Sequence, residues 1–247
     1  EGNLTPKQQE FAHTIHSAGS DLLDLINEVL DLSKVETGKM ILNIEQMIIG
    51  NLSAYITQNF SHMAKEKGLY LDINVDDDVP TSITTDRQRV EQIVKNLVAN
   101  ALKFTEKGGV RIHISRMAPN VNFADTMLTI AVSDTGIGIP EAKQQIIFEA
   151  FQQADVSISG RYGGTGLGLS ISREFAKLLG GQILLSSEQD KGSTFTLVVP
   201  EHFKSPEEQQ AARVEAQLPS EETPSLPETP PMISSASIET IRDDRHD

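Results

Sequence analysis

A glycine-rich run at residues 160–169 is the part of this chain whose composition most directly indicates a ligand site. Five of its ten residues are glycine, and an apolar-periodic segment at 169–179 follows directly. Glycine lets backbone N–H groups approach a phosphate closely, and a helix N-terminus adds favourable partial charge. A flexible turn has the same composition, so the run alone leaves phosphate binding and a turn as alternatives.

A second candidate is a polar stripe on the amphipathic segment 86–104. At about 100° per residue, the stripe consists of Gln92, Asn96, Asn100 and Lys103. Asparagine is a mediocre helix former, so two of them on one stripe suggest a functional reason. One hypothesis is that the carboxamide oxygens ligate a hard cation such as Mg²⁺ while Lys103 meets a phosphate. The alternative is an ordinary solvated helix face.

A third candidate follows a predicted strand, where Asp134 precedes two spaced glycines, Gly136 and Gly138. A carboxylate accepts a hydrogen bond from the exocyclic amine of adenine, and glycines let backbone approach the ring. Thr194, at the start of the last predicted strand, offers a hydroxyl near such a base. Aspartate and glycine are also standard turn residues, so a plain turn is the alternative.

These candidates belong to a compact α/β domain that is predicted between residues 40 and 200. Its elements are distinguished by helical and alternating apolar patterns. Helices are predicted at 51–68 and 86–104, and strands at 69–75, 110–116, 127–133, 182–188 and 193–199. This order of helices and adjacent strands predicts a mixed sheet with helices on one face, and not a doubly wound parallel fold.

Residues 1–39 are predicted to form one long helix. Thr5 is a candidate N-cap, Pro6 suits the first helical position, and Gln8 completes a capping box. Apolar residues then recur in alternating steps of four and three: Phe11, Ile15, Ala18, Leu22, Leu25, Val29 and Leu32. This heptad pattern, widened by further apolar residues, is typical of a helix in a four-helix bundle. The helix is therefore expected to need partner helices that this sequence does not supply.

Composition excludes several classes of function. The net charge of −14 argues against non-specific nucleic-acid binding, which needs basic surface. The absence of cysteine excludes disulfides and thiolate–metal sites, and no apolar run reaches the length of a membrane span. A cytoplasmic location and an origin in a longer protein are expected. Residues 201–247 carry eleven acidic and four basic side chains and six of the eleven prolines, which predicts a disordered linker or tail.

Four motifs, in this order along the chain, resemble the N, G1, F and G2 boxes of sensor histidine kinases. They are the segments Asn96–Thr105, Asp134–Gly138, Phe148–Phe151 and Gly163–Leu169. The resemblance implies the Bergerat ATP-binding fold, an α/β sandwich shared with gyrase, Hsp90 and MutL ATPases. It also makes residues 1–39 similar to the second helix of a dimerisation and histidine-phosphotransfer hairpin.

The resemblance further implies that the domain at 40–200 binds ATP and Mg²⁺. Asn100 would ligate Mg²⁺, with Asn96 and Lys103 near the phosphates, and Asp134 would receive the adenine amine. The residues implied to surround the base are Gly136, Gly138 and Thr194. The residues implied to form a lid over the phosphates are Arg161, Gly163, Gly164, Thr165, Gly166, Leu167 and Gly168.

As a whole, the resemblance implies the ATP-binding catalytic portion of a sensor histidine kinase of the hybrid type. The full protein would be a homodimer that transfers the γ-phosphoryl group to its own histidine and then to an aspartate of a receiver domain, in cis or in trans. The family's phosphoacceptor, a histidine followed by an acid and shortly by proline, is missing. His13 and His16 lie at outer heptad positions, and neither precedes an acid. The chain alone is therefore expected to bind Mg²⁺-ATP without phosphorylating itself.

Two other classes of function stay open at this point. A GHKL-type ATPase shares the implied fold but carries a glutamate base where Asn96 stands. A non-catalytic module would dimerise through the long apolar helix and use the nucleotide only as a structural ligand. Nucleotide titration with and without Mg²⁺ distinguishes the nucleotide-dependent hypotheses from this last one.

Overall fold

The computed structural model describes residues 5–119, 125–150, 166–205 and 208. The chain divides into two units, residues 1–204 and residues 205–247. In the second unit, the backbone N–H of Ser205 donates to the Glu208 carboxylate at 2.7 Å, and the backbone N–H of Glu208 donates to Ser205 Oγ at 3.2 Å. The helices and strands with described bounds lie in the first unit.

The N-terminal helix, α1, runs from Pro6 to Glu36 and starts as its sequence predicts. The backbone N–H of Thr5 donates to Gln8 Oε1 at 2.9 Å, and the backbone N–H of Gln8 donates to Thr5 Oγ1 at 3.4 Å. These reciprocal bonds form the capping box. Gly38, with a φ of 65°, adopts the left-handed conformation that commonly ends a helix. Among the described residues, none of the helices combines the length and the hydropathy needed to cross a membrane.

Seven strands and three further α-helices follow within the described residues. They are β1 (Glu45–Ile48), α2 (Ile49–Glu66), β2 (Tyr70–Val75), β3 (Ser82–Thr85), α3 (Arg87–Phe104), β4 (Gly109–Met117), β5 (Met127–Asp134), α4 (Gly168–Leu178), β6 (Gln182–Glu188) and β7 (Gly192–Pro200). Two 3₁₀ turns, Glu141–Lys143 and Ile146–Phe148, lie between β5 and α4. The sequence patterns missed β1 and β3 because four residues are too few for a clear period.

A five-stranded mixed sheet carries the domain. Its strand order is β2-β4-β5-β7-β6, with β2 parallel to β4 and the other pairs antiparallel. β1 and β3 form a separate antiparallel pair. The apolar core lies between the sheet and α2, α3 and α4, and it includes Leu97 and Val98 of α3 and Ile112 and Ile130 of the sheet. The predicted mixed sheet with helices on one face is thus confirmed.

The opposite face of the sheet is polar because side chains alternate along each strand. On β4, Val110, Ile112 and Ile114 are buried under the helices, whereas Arg111 and His113 are exposed on the other side. Any residue that takes part in a site beside the helices must therefore sit on the inward set of positions. On β7, the alternation places the adjacent residues Ser193 and Thr194 on opposite faces of the sheet.

Helix α1 is covered by the domain along one flank of its C-terminal half. Leu25, Leu32 and Val35 are partly buried against the core. The sequence predicts that the apolar stripe needs partner helices from outside this chain, but the chain itself covers this flank. The rest of the stripe is exposed, as expected for an unpartnered bundle helix: Phe11, Ile15, Leu22, Leu23, Ile26, Val29 and Leu30.

The folded unit ends four residues later than the predicted boundary at residue 200. The backbone N–H of Thr84 donates to the carbonyl of Glu201 at 2.8 Å, and the backbone N–H of Phe203 donates to the carbonyl of Thr84 at 2.9 Å. Arg116 also donates to both carboxylate oxygens of the buried Glu201, at 2.6 and 3.0 Å. Residues 201–204 therefore belong to the domain, because β3 offers them backbone partners that their composition does not reveal.

We expect Asp86→Ala to destabilise the domain by about 2 kcal/mol. Asp86 is only 3% exposed, caps α3 by accepting from the backbone N–H of Arg89 at 3.1 Å, and accepts from the backbone N–H of Asn43 at 2.8 Å. Its loss leaves two N–H groups without their acceptor. Urea unfolding of the two proteins measures the difference. Thr5→Ala, which removes the exposed cap of α1, is the matched control and should cost no more than about 1 kcal/mol; equal losses would contradict the argument.

Candidate functional site

The side chains of two α3 asparagines, Asn96 and Asn100, lie at the contact of α3 with the start of α4. Asn100 Nδ2 donates to Asn96 Oδ1 at 3.2 Å, and Asn96 Nδ2 donates to Ser172 Oγ of α4 at 3.0 Å. Both asparagines are half-buried. Their four-residue spacing places the two amides on one helix face, and α4 holds that face in a fixed position. The structure therefore brings together two of the predicted site residues and adds Ser172, which the sequence patterns did not single out.

The described end of the glycine-rich run lies against this amide pair. A Cβ on Gly168, the first residue of α4, would overlap Asn96 Oδ1. Gly166 has a φ of 71°, and Leu167 beside it is fully buried. The N-terminus of α4, with its backbone N–H groups and positive dipole end, is thus anchored next to Asn96. Four members of the predicted lid lie outside the described residues: Arg161, Gly163, Gly164 and Thr165.

Lys103 is three residues beyond Asn100 on the same helix and is half-buried. Its ammonium lies 5.0 Å from the centroid of the Phe104 ring. Burial lowers the pKa of Lys103 because the charged ammonium is partly removed from water. A partly desolvated cation attracts an anion more strongly than one in bulk water does, so this end of α3 suits a phosphate.

The polar stripe of α3 does not form one continuous site. Gln92, at its N-terminal end, donates to Asp31 of α1 at 3.3 Å and accepts from Arg89 at 2.8 Å. Gln92 therefore contacts the N-terminal helix, while Asn96, Asn100 and Lys103 remain with α4 and the end of α3. Helical periodicity places these residues on one stripe of α3. Contacts with α1 at one end and with α4 further along divide the stripe into two parts.

Asp134 ends β5 on the face of the sheet that the helices cover. Burial raises the pKa of its carboxyl, and hydrogen bonds from the backbone N–H groups of Gly136 and Ser193 oppose this shift. The Gly136 bond to Asp134 Oδ1 is 2.8 Å long. A half-buried carboxylate at a strand end is a directional acceptor, as the adenine hypothesis requires.

The two glycines after Asp134 are required by the packing of the protein itself. A Cβ on Gly136 would overlap the carbonyl oxygen of Phe104, and one on Gly138 would overlap that of Glu188. Gly138 also has a φ of 62°, which side chains rarely adopt. The segment passes tightly between the end of α3 and the β6–β7 hairpin. Approach of these two glycines to an adenine base stays a prediction.

Hydrogen bonds hold this segment to the hairpin. Ser187 Oγ accepts from the backbone N–H of Ile139 at 2.8 Å, and Gln144 Nε2 donates to the carbonyls of Ile139 and Ser187, both at 3.0 Å. The backbone N–H of Asp190 donates to the carbonyl of Ile137 at 2.8 Å. Neither Ser187 nor Gln144 was found from the sequence, because the bonds that join Ser187 to Ile139 and to Gln144 span more than forty residues along the chain.

The structure places Thr194 on the face of the sheet opposite to that of Asp134. Thr194 pairs with Ser133 across the strands, and their hydroxyls lie 2.9 Å apart. Both follow the polar set of strand positions, which faces away from the helices, whereas Asp134 follows the inward set. Ser193 is the residue opposite Asp134, it is buried, and its backbone N–H donates to the carboxylate. A shift of one residue changes the face of a strand, and sequence alone left that choice between two adjacent hydroxyls.

The aromatic motif has a packing role at its first residue. Phe148 is buried, and its ring meets that of Phe195 edge-on at 6.3 Å between centroids. The Arg173 guanidinium of α4 lies 5.6 Å from the Phe148 centroid. Phe148 therefore joins α4 to β7. Phe151, the second aromatic of the motif, lies outside the described residues.

The donor set near Asn100 suits Mg²⁺ only if a ligand supplies further oxygens. Among the described residues, no group of three or more His, Cys, Asp or Glu side chains could hold a metal ion. Mg²⁺ is commonly held by one or two protein oxygens together with substrate phosphates. One carboxamide oxygen beside a helix N-terminus and a lysine fits that arrangement, and it does not fit a metal site built from protein ligands alone.

Comparison with known proteins agrees with this geometry. Residues 85–202 match the family model described as histidine kinase-, DNA gyrase B- and HSP90-like ATPase. The chain is 42% identical over 192 residues to the signal transduction histidine-protein kinase BarA of Escherichia coli, a match that covers 78% of this chain and 21% of BarA. It is 40% identical over 203 residues to the circadian input-output histidine kinase CikA of Synechococcus elongatus, covering 81% of this chain and 26% of CikA.

Solved structures show the same likeness. Full-length ShkA, crystallised with AMPPNP, superimposes with a TM-score of 0.69 and 31% identity over 81% of this chain and 40% of ShkA. The Acinetobacter baumannii histidine kinase AdeS shares the fold with a TM-score of 0.63 and 22% identity, over 81% of this chain and 88% of AdeS. The chain spans only about a fifth to a quarter of the curated relatives named above.

We expect the stability of an Asp134→Asn variant relative to the parent to increase with pH. Because burial raises the folded-state pKa of Asp134, ionisation costs the folded protein more than the unfolded chain. This cost is absent below the unfolded pKa and complete above the raised folded pKa, and asparagine does not ionise. Denaturant unfolding at a series of pH values measures the difference.

The control for this series is Asp72→Asn, which removes an equal charge from an exposed carboxylate on the polar face of the sheet. Altered hydrogen bonding in the Asp134 variant changes the free energy of unfolding by an amount that does not depend on pH. The test uses only the slope of the free-energy difference against pH, so this constant change does not affect it. A difference that shrinks as the pH rises would contradict the assigned cause.

Proposed function

We propose that residues 85–202 form the ATP-binding catalytic domain of a histidine kinase, because they match the family model described as histidine kinase-, DNA gyrase B- and HSP90-like ATPase and the chain is similar to histidine kinases in sequence and structure. We propose that the chain binds Mg²⁺-ATP between α3, α4 and the end of β5. It would present the γ-phosphoryl group to a histidine on a hairpin helix that is not in this sequence. The observation that carries the proposal is the amide pair Asn96–Asn100, held by α4 beside the helix N-terminus.

The phosphate end of the site is assigned to α3 and α4. Asn100 would hold Mg²⁺, which when bound neutralises charge between the phosphates. Asn96 is already oriented by Ser172, so it is suited to fix the position of α4 against α3. Lys103 and the N-terminus of α4 supply positive charge in a chain whose net charge is −14. The predicted lid, Arg161 with residues 163–168, completes this end of the proposal.

The base end is assigned to Asp134. Its carboxylate would accept from the exocyclic amine of adenine, with Gly136 and Gly138 lining the ring. Ser193 replaces Thr194 as the supporting residue, because its N–H orients the carboxylate from the same side of the sheet. Guanine carries a carbonyl in place of that amine, so the carboxylate disfavours it by repulsion between two acceptors.

The chemistry requires little from the protein beyond position and charge. The histidine nitrogen forms a bond to the γ-phosphorus while the bond between that phosphorus and the bridging oxygen breaks, and ADP leaves. Such a step depends mainly on alignment and on neutralising the phosphate charge. Transfer onward to a receiver aspartate, and homodimerisation through the exposed apolar stripe of α1, belong to the same proposal for the whole protein.

The structure disfavours an ATPase as the function. An amide cannot accept a proton from water as a glutamate base does. Asn96 stands at the position of that base, and its Nδ2 donates to Ser172 while its Oδ1 accepts from Asn100. Its hydrogen bonds hold two helices together instead.

We expect Asn100→Ala to weaken ATP binding in the presence of Mg²⁺ on the order of tenfold, about 1.4 kcal/mol. Binding in EDTA should change much less, because the amide acts through the metal. Calorimetric titration with and without Mg²⁺ measures both values. Asn59→Ala on α2 removes an exposed asparagine of the same type and is the matched control. Equal losses with and without Mg²⁺ would overturn the metal assignment.

We expect this chain alone to remain unlabelled when incubated with ATP that carries a radioactive γ-phosphate. His13 and His16 are exposed on α1 and are not followed by an acid. Addition of the hairpin from the same full-length protein should produce an acid-labile, alkali-stable label on the hairpin. Acid-labile label on the chain itself would contradict the proposal. A hairpin that stays unlabelled while the chain binds ATP would also contradict it.

A further inference from the structure

An ion pair with little exposure joins α1 to α3. Arg89 Nη1 lies 3.1 Å from Asp31 Oδ2, and each side chain is 16% exposed. For comparison, Arg87 on the same helix pairs with Glu45 at 3.1 Å, with side chains 51% and 44% exposed. Exposed pairs contribute little to stability, whereas a pair shielded from water depends strongly on both partners. The phosphate site uses neither Asp31 nor Arg89.

The guanidinium of Arg89 contacts four separate parts of the chain. Besides Asp31 of α1, it donates to Gln92 on α3 at 2.8 Å and to Met40 Sδ in the connection at 3.5 Å. Its carbon lies 4.7 Å from the centroid of the Phe175 ring on α4. We call Asp31, Met40, Arg89, Gln92 and Phe175 the junction. A planar group with five donors and a stacking face is suited to join several elements at once.

The connection between α1 and β1 is held at a second point by the start of α3. Asp86, three residues before Arg89, accepts from the backbone N–H of Asn43. Met40 and Asn43 are thus both fixed to the first turn of α3. The segment that could act as a hinge between helix and domain is attached at two points.

The junction leaves one flank of the apolar stripe of α1 exposed. Leu25, Leu32 and Val35 pack towards the domain, whereas Leu22 and Val29 remain exposed on the other flank. Docking of the domain therefore leaves this second flank available for pairing of α1 with other helices. The junction can exist within an assembled dimer.

We propose that Asp31, Arg89 and Gln92 are positioning residues that fix the direction in which the ATP site faces α1. This inference rests on the proposed function, since it concerns delivery of the phosphoryl group. Arg89 and Asn100 lie on one helix, eleven residues or about 16 Å apart, so holding Arg89 on α1 also orients the amide pair. The three residues act on the orientation of the domain and not on nucleotide affinity.

The chain has no cysteine, so two introduced cysteines give unique labels for a distance measurement. Thr14→Cys on α1 and Lys177→Cys on α4 are exposed positions outside the junction. Thr14 lies about 25 Å along the helix from Asp31, so a tilt of about 25° at the junction moves its label by about 10 Å. Double electron–electron resonance between nitroxides on these two sites reports the distribution of distances.

We expect the distribution of distances between the two labels to be narrow in the parent. In Asp31→Asn and in Arg89→Gln the same distribution should broaden by about 10 Å. The double variant should be no broader than either single one, because each change removes the same interaction. Arg87→Gln, which alters the exposed pair on the same helix, is the matched control and should leave the distribution narrow. A narrow distribution in Asp31→Asn, or an additive effect in the double variant, would overturn the proposal.

Nucleotide titration of the same variants separates this inference from the proposed function. The dissociation constant for Mg²⁺-ATP should match that of the parent within about twofold in all four variants. A larger loss in Asp31→Asn would show that the junction supports the binding site itself, which contradicts a positioning role. Failure of the parent to bind ATP would instead refute the proposed function, while the distance distributions would still decide whether the junction fixes α1.

Discussion

The burial of one face of helix α3 is the constraint on which the rest of the structure depends. Val90, Ile93, Val94, Leu97 and Val98 are each at most 1% exposed. A helix packed this closely cannot rotate about its axis without opening the core. Its polar residues are therefore held in fixed directions: Arg89 and Gln92 towards α1, Asn96 towards α4, and Asn100 and Lys103 towards the proposed phosphate site. One hydrophobic face sets the geometry of the nucleotide site and of the attachment to α1.

Electrostatics in this protein are local and differ from its net charge. The chain carries −14 in total, yet Lys103 is partly desolvated at one end of α3 and the N-terminus of α4 lies beside Asn96. Partial burial strengthens each of these interactions with an anion, since water no longer screens them fully. Burial also disfavours the charged form of Asp134, whose carboxyl becomes harder to ionise. An acidic protein is thereby able to bind an acidic nucleotide.

Close approach between backbone segments explains several glycines that also belong to the binding motifs. Gly136 and Gly138 leave room for carbonyls of α3 and of the β6–β7 hairpin, and Gly168 leaves room for Asn96. A motif glycine can thus be needed by the fold and by the ligand at once. A side chain at Gly136 or Gly138 would overlap backbone carbonyls even before a nucleotide arrives.

The sequence by itself determined what depends on local periodicity and on motif order. The capping box at Thr5, the amphipathic face of α3, the mixed sheet and the family followed from patterns within short windows, and the structure and comparisons confirmed them. Tertiary structure alone decided that Ser193 and not Thr194 faces Asp134, since the register of β7 against β5 selects one of two adjacent hydroxyls. It also decided the pairing of Asp31 with Arg89 and the inclusion of residues 201–204 in the domain. These contacts join residues far apart along the chain, and no local pattern encodes which distant partner a side chain meets.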